Sequence, residues 1–194
     1  MNGLHPDTFE RIARAVELVH ERLSRSTGAL EQAGIPYAVA GGSAVKAWVA
    51  RVDESAVRQT PDVDIVVSRG DYERAKMALE RAGFLHRPSQ RGELFVEGEE
   101  APDRKAVRVY KGGERVREGD ALPIPGVDES EPGREFRILS LEALVRMELT
   151  AFRTVNAVHL RDLIDVGLVD PSWVARLPGP LDDRLQHLLD TPDG

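Results

Sequence analysis

Between Pro61 and Ser68 the chain reads Asp62-Val63-Asp64-Ile65-Val66-Val67, an apolar, largely β-branched run broken by two aspartates. That composition is a strand's, and a strand sends successive side chains to opposite faces. Asp62 and Asp64 therefore share one face, with Cα atoms roughly 6.6 Å apart, while Val63 and Ile65 take the other. A strand this apolar belongs in a sheet with at least one buried face. Two like charges on it need a cation or solvent to offset their desolvation and mutual repulsion. Alone, a D-x-D pair is commonly just solvated strand-edge charge, so its neighbours decide what it means.

Upstream, Tyr37 to Ala40 is short, apolar and partly β-branched, a second strand, and it runs into Gly41-Gly42-Ser43. Ala44 to Ala50 lacks breakers and reads as a helix. The order strand, glycine turn, helix aims backbone N–H groups and the helix dipole at whatever occupies the turn. Two carboxylates on one face can jointly hold Mg²⁺, a hard ion that takes oxygen ligands. The turn offers N–H donors and the Ser43 hydroxyl to phosphate oxygens. Between them lies room for a metal-bound triphosphate and for in-line attack on a phosphorus.

The remaining pattern mixes helices and strands. Phe9, Ile12, Val16, Val19 and Leu23 step by three and four within a helix over 7–33, with Asp7 and Glu10 as a capping box and Gly34 as its stop. A loop is expected over 51–61, a helix over 71–82 closed by Gly83, and strands at 84–86, 93–97 and 106–110. Lys111 to Arg137 is irregular and rich in Gly and Pro, as either a functional loop or a surface meander. Ser140 can cap a helix over 141–153 and Asn156 one over 157–166, and a last helix carries Leu181, Leu185, Leu188 and Leu189. The early alternation points to a partly parallel sheet. The expected fold is α+β, a mixed β-sheet with flanking helices over 1–138 and a helical C-terminal region over 139–194.

Composition excludes several chemistries. Among 194 residues there is no cysteine, so disulfide frameworks, thiolate zinc, iron–sulfur ligation and cysteine nucleophiles are out. The formal net charge of -7 argues against a general nucleic-acid coat, although 87–117 carries eight basic against six acidic residues. A chain of this length hides roughly 70% of its unfolded surface, enough for a core without staples. No window approaches a membrane span and the start has no basic end followed by an apolar stretch, so a cytoplasmic protein is expected. P-loop, nucleophile-elbow and H-E-x-x-H patterns are absent. Ser43 and Lys46 form an S-x-x-K, but its S-D-N and K-T-G companions are missing.

AVAGGSAV followed by TPDVDIVV resembles the nucleotidyltransferase superfamily that includes polymerase-β-like enzymes, whose motif is an apolar strand, G-G-S, a helix, then D-x-D on the next strand. With LEALVRMELTAFRTVNAVHLRDLIDVGL behind it, the chain is more closely similar to small bacterial nucleotidyltransferase-like proteins related to abortive-infection toxins, over about 34–170. The resemblance implies a nucleotidyltransferase-like fold and transfer of a nucleoside monophosphate from an NTP to an acceptor hydroxyl on RNA, protein or a small molecule. It implies that Gly41, Gly42 and Ser43 hold the phosphates and that the catalytic Asp62 and Asp64 hold Mg²⁺ or Mn²⁺; on the helices Arg153 is expected to reach phosphate, where bidentate geometry favours it over lysine. It also implies an antitoxin-like partner.

Two residues depart from that pattern. A third carboxylate usually stands on a later strand, where this chain has Arg108, expected to pair with an aspartate and lower its pKa; Glu93 or Glu97 is the alternative third acid. Glu148 stands where related helical segments have lysine. The departures keep two other readings open: a catalytically impaired member that binds nucleotide or a protein partner, and an RNA-binding module. Arg161 is expected to form an ion pair with Asp162 or Asp165, and His159 shows no orienting group that would make it a base.

Overall fold

β1 (Tyr37–Ala40) and β2 (Val63–Ser68) are antiparallel neighbours, with Ala40 opposite Asp64 and Tyr37 opposite Val67. The end of β1 thus lies beside the beginning of β2, and α2 (Gly41–Val49) starts within reach of both aspartates. The computed structural model describes residues 6–192, with the backbone alone for residues 6–9 and Ile12. Among the described residues, β5 (Val107–Gly112) joins β2 in parallel, Asp64 opposite Arg108. β3 (Leu85–Arg87) and β4 (Glu93–Val96) extend that side, and β7 (Arg137–Leu139) and β6 (Ser130–Pro132) the other, giving the order β3-β4-β5-β2-β1-β7-β6. The sheet is mixed, as expected, but its parallel pairs are β2/β5 and β1/β7 rather than the first two strands.

Helices cover both faces. α1 (Pro6–Gln32) and α3 (Tyr72–Arg81) pack on each other and on β2, with Leu23 and Leu30 of α1 and Ala75 and Leu79 of α3 in the core. α2 lies against β1, β2 and β7 and meets α4 (Leu141–Ala151) and α5 (Thr154–Asp165). One hydrophobic cluster runs from Leu23 to Leu188 of α6 (Leu181–Asp190). Gly34 and Gly83 end α1 and α3 in the left-handed region, at φ +62° and +88°, where a Cβ is disfavoured.

Several boundaries move for physical reasons. α2 begins at Gly41, not Ala44, so the glycines form its first turn instead of a turn before it. α1 begins at Pro6, and the Asp7 half of the expected capping box lies, with the Phe9 and Ile12 side chains, outside the described residues. Ser140 accepts from Ala143 N–H as expected, but α5 starts at Thr154, placing Asn156 inside it; its Oδ1 reaches back to Arg153 N–H at 3.1 Å. β6 and β7 emerge from a stretch too short and too proline-rich to show strand alternation. The irregular segment is ordered: Gly113 N–H donates to the Ile124 carbonyl, Ile124 N–H donates to the Glu114 carbonyl, and Ile124 is buried.

The corner between α4 and α5 sets the polar side of the fold. Phe152 turns it at φ +40°, and Arg184 of α6 donates to the carbonyls of Leu149 (2.6 Å) and Thr150 (3.0 Å), satisfying the end of α4. Among the described residues no helix is long and apolar enough to cross a membrane.

Candidate active site

Gly41, Asp62, Asp64 and Arg153 line one cleft of about 260 Å³ at the end of the sheet where β1 stops and β2 and β5 start. Thr60, Arg108, Glu148 and His159 share it, and the ordered segment closes it with Arg117, Leu122 and Ile124. Gly41 is fixed by geometry: its φ is +57°, and a Cβ there would collide with Asp64 Oδ2. Gly42 and Ser43 sit one step behind, facing adjoining hollows. A Cβ on Gly42 would stand 2.7 Å from Thr60 Oγ1 and 2.9 Å from His159 Nε2. The Ser43 hydroxyl is buried and makes a long hydrogen bond, 3.5 Å, to the Asp62 carbonyl.

Asp62 and Asp64 do share a face, and Arg108 faces them. Its Nη1 lies 3.3 Å from Asp64 Oδ1 and 3.8 Å from Asp62 Oδ2. The expected pairing is present and Arg108 pulls the aspartates down as expected, but burial outweighs it and the net shift is upward. Burial pushes the Asp64 carboxyl up to about 6; Arg108 pulls against that, and Asp62 and Glu148 add to it. Asp62 is raised as well, by burial opposed by Arg108, His159 and Arg153. Desolvation therefore outweighs one guanidinium.

The alternative third acids lie elsewhere. Glu93 is opposite Val109, so it points to the sheet face away from Arg108, where it meets His86 (2.9 Å) and Lys111 (3.2 Å). Glu97, two residue pairs further on the same side of the strand period, is held by Arg22 and Arg25 of α1. Neither reaches the cleft. Among the described residues no three His, Cys, Asp or Glu side chains converge as a ready metal-holding group.

Sequence reasoning missed an acidic centre on the helices. Glu148, 1% exposed, accepts from Asn156 Nδ2 at 2.6 Å and meets His159 Nδ1 at 3.1 Å. His159 thus has the orienting group that the sequence did not show. Burial opposes its charge, yet the bond to Glu148 and the pull of Glu148 and Asp64 leave its pKa above the ordinary value. The signal was a lone acid between buried Leu144, Val145 and Leu149, which demands a partner. The expected Arg161 ion pair is replaced: Asp162 pairs with Arg58 at 2.6 Å, while Arg161 donates to the Pro192 carbonyl at 2.9 Å. Arg153 spends its Nε on Asn156 Oδ1 (3.2 Å) and lines the cleft.

No family model and no curated protein matches the chain. Among solved structures, the solution structure of the antibiotic-resistance factor ANT(2'')-Ia matches with a TM-score of 0.54 over 92% of this chain and 91% of that one, at 14% identity. The chain has a nucleotidyltransferase-like fold. A crystal structure of ANT(2'')-Ia in complex with adenylyl-2''-tobramycin is also similar, with TM-score 0.46 and 16% identity over 91% and 88% of the two chains. Within this nucleotidyltransferase-like frame the paired aspartates, the first turn of α2 and the α4–α5 corner meet at one end of the sheet.

Proposed function

We propose that this protein transfers a nucleoside monophosphate from an NTP to an acceptor hydroxyl, releasing pyrophosphate. The observation that carries the reading is the antiparallel β1/β2 pairing, which brings the N-terminal turn of α2 beside two carboxylates on a shared face of one cleft. The free N–H groups of that turn and the helix dipole favour phosphate oxygens. Gly41 lets backbone approach closely, Ser43 ties the turn to the Asp62 carbonyl, and Arg153 adds a planar cation to the cleft lining.

Asp62 and Asp64 are hard oxygen donors, and one or two carboxylates plus substrate phosphates suffice for Mg²⁺. The donor set fits Mg²⁺ or Mn²⁺ once Arg108 swings aside, and the raised carboxyl pKa values mark charge that is under-compensated by Arg108 alone. Such an ion, when bound, neutralises charge developing on the triphosphate. In the reaction the acceptor hydroxyl gives up its proton to solvent and its oxygen bonds to the α-phosphorus, while the bond to pyrophosphate breaks with its electron pair leaving on pyrophosphate. The acceptor's class, whether RNA, protein or small molecule, and an antitoxin-like partner belong to this same reading.

Arg108 favours a second reading, in which the cleft binds nucleotide without transferring it, because a guanidinium occupies the space between the carboxylates. One experiment separates the two. The protein is incubated with each α-labelled NTP, Mg²⁺ or Mn²⁺, and separately with total RNA, total protein and a small-molecule extract. Label transfer with pyrophosphate release supports the enzyme; saturable NTP binding with neither supports the binder.

A further inference from the structure

We propose that His159 is a phosphate-binding residue of this cleft, with Glu148 and Asn156 as the positioning residues that aim it. The inference deepens the nucleotidyl-transfer reading and rests on it for the identity of the ligand.

The geometry starts at Glu148. A carboxylate this buried must have its charge met and its oxygens filled. An ionised carboxylate only accepts, so both of its neighbours donate: Asn156 through Nδ2 at 2.6 Å and His159 through Nδ1 at 3.1 Å. The bond to Nδ1 settles the orientation of the ring. Nε2 is then turned away from Glu148, and it has no hydrogen-bond partner among the described residues.

Its direction is given by Gly42, since a Cβ built there would lie 2.9 Å from Nε2. The free nitrogen therefore stands against the first turn of α2, the part of the helix whose N–H groups lack intrahelical partners. An imidazole whose far nitrogen is bonded to a buried carboxylate presents an N–H donor at its near nitrogen when charged. Together with the helix N-terminus and Arg153 of the same corner, that makes three donors of different kinds converging from two helices. Tetrahedral oxyanions are the ligand class that uses such a set. Asn156 contributes by bridging: its Oδ1 takes Arg153 N–H and Nε, and its Nδ2 holds Glu148, so one amide fixes Arg153 directly and His159 through Glu148.

A structural role is the competing explanation, in which His159 does no more than neutralise Glu148. The two differ in what a phosphate does to Nε2. Nitrogen-15 spectra of the wild type would be recorded with Mg²⁺ while inorganic pyrophosphate is added, the His159 signal being assigned among the five histidines by its loss in His159→Gln. A saturable shift of His159 Nε2 is expected. Calorimetry of ATP binding should show a loss of at least tenfold in His159→Gln, with recovery of most of it in His159→Lys, which restores a cationic donor. Glu148→Gln should weaken ATP binding less than His159→Gln does. An unmoved Nε2 at saturating pyrophosphate overturns the proposal, as does unchanged ATP affinity in a folded His159→Gln. A wild type that binds pyrophosphate through Nε2 but no NTP leaves the proposal standing and removes the transferase reading instead.

Discussion

Arg108 lies directly opposite Asp64 across the parallel β2–β5 ladder, its Nη1 3.3 Å from Asp64 Oδ1 and 3.8 Å from Asp62 Oδ2, while its Nε is buried without a partner. The chain thus carries its own cation between the two carboxylates. It is an imperfect one, since the guanidinium makes a single contact within hydrogen-bond range where a bidentate fork would make two.

Replacing that cation exposes the acids to metal. In Arg108→Gln the two carboxylates lose their compensating charge, and removing one partner of a buried pair costs about 3–5 kcal/mol. Without metal the variant should be less stable than wild type by an amount toward the lower end of that range, because Asp62 retains partial solvent access. Divalent ions should restore the loss, so Mg²⁺ or Mn²⁺ should raise the melting temperature of Arg108→Gln far more than that of the wild type. Thermal unfolding with and without each ion checks this, and equal metal responses in both proteins would contradict it.

The Asp64 carboxyl gives the site a pH signature. Its ordinary pKa is 3.8 and burial lifts it to about 6 in the folded chain. Below pH 4 it is protonated folded and unfolded alike, so it costs nothing. Between about 4 and 6 the unfolded chain ionises first, and stability falls as pH rises; above 6 the full penalty remains. A shift of this size is on the order of 3 kcal/mol. Asp64→Asn removes it, so the variant should be more stable than wild type at pH 7 and equal to it near pH 4. Denaturant melts at the two pH values measure the difference, and a variant less stable at pH 7 would show that Arg108 holds the ionised acid better than its burial harms it.

The strands of this site were legible because their signals are local. Asp62 and Asp64 share a face by the period of two, and the same period already separated Glu93 and Glu97 from Arg108 once β4 was set beside β5. The antiparallel turn of β2 onto β1 was not legible, because nothing within the 51–62 connection states which way the returning strand runs. The Glu148–His159 pair was hidden for a similar reason. Eleven positions and a left-handed corner at Phe152 separate the two, so neither helical period joins them. Asn156 looked like a cap because its chemistry is a cap's; it acts as one from inside the helix.

Gly41 is where backbone and site constrain each other most tightly. Alanine there would need a left-handed backbone, costing roughly 1–2 kcal/mol, and its Cβ would displace the Asp64 carboxylate. Gly41→Ala should therefore destabilise the chain by about 2–4 kcal/mol. It should also weaken Mg²⁺-dependent ATP binding, measured by calorimetry at a temperature where the variant remains folded. Gly42→Ala differs, because its collisions are with Thr60 and His159 rather than with an aspartate. Its ATP affinity should recover in the double variant Gly42→Ala/Thr60→Gly, which removes the Oγ1 and Cβ that the new methyl meets, if relief of that crowding is what matters, and failure to recover would place the obstruction at His159 alone.

Arg22 is the remaining buried charge with a bearing on the site. It is 3% exposed on α1, donates through Nε (3.0 Å) and Nη2 (2.6 Å) to Glu97 Oε2, and sends Nη1 to the Pro61 carbonyl at 3.3 Å, one residue before Asp62. One side chain therefore fastens α1 to the end of β4 and to the approach to β2. In Arg22→Met the Pro61 carbonyl loses its donor and Glu97 keeps only Arg25. Because Glu97 is partly exposed and water can reach it, the loss should be about 1–3 kcal/mol rather than that of a fully buried pair. Glu97→Gln should cost less, since the amide oxygen still accepts from Arg22, and it should leave Mg²⁺ affinity unchanged because Glu97 lies away from the cleft. Urea midpoints for the two variants, with metal titrations alongside, make the comparison. If Glu97→Gln lowered metal affinity as strongly as Asp62→Asn, the acid on β4's side of the sheet would belong to the site after all, and the assignment of Arg22 as a purely structural clasp would fall with it.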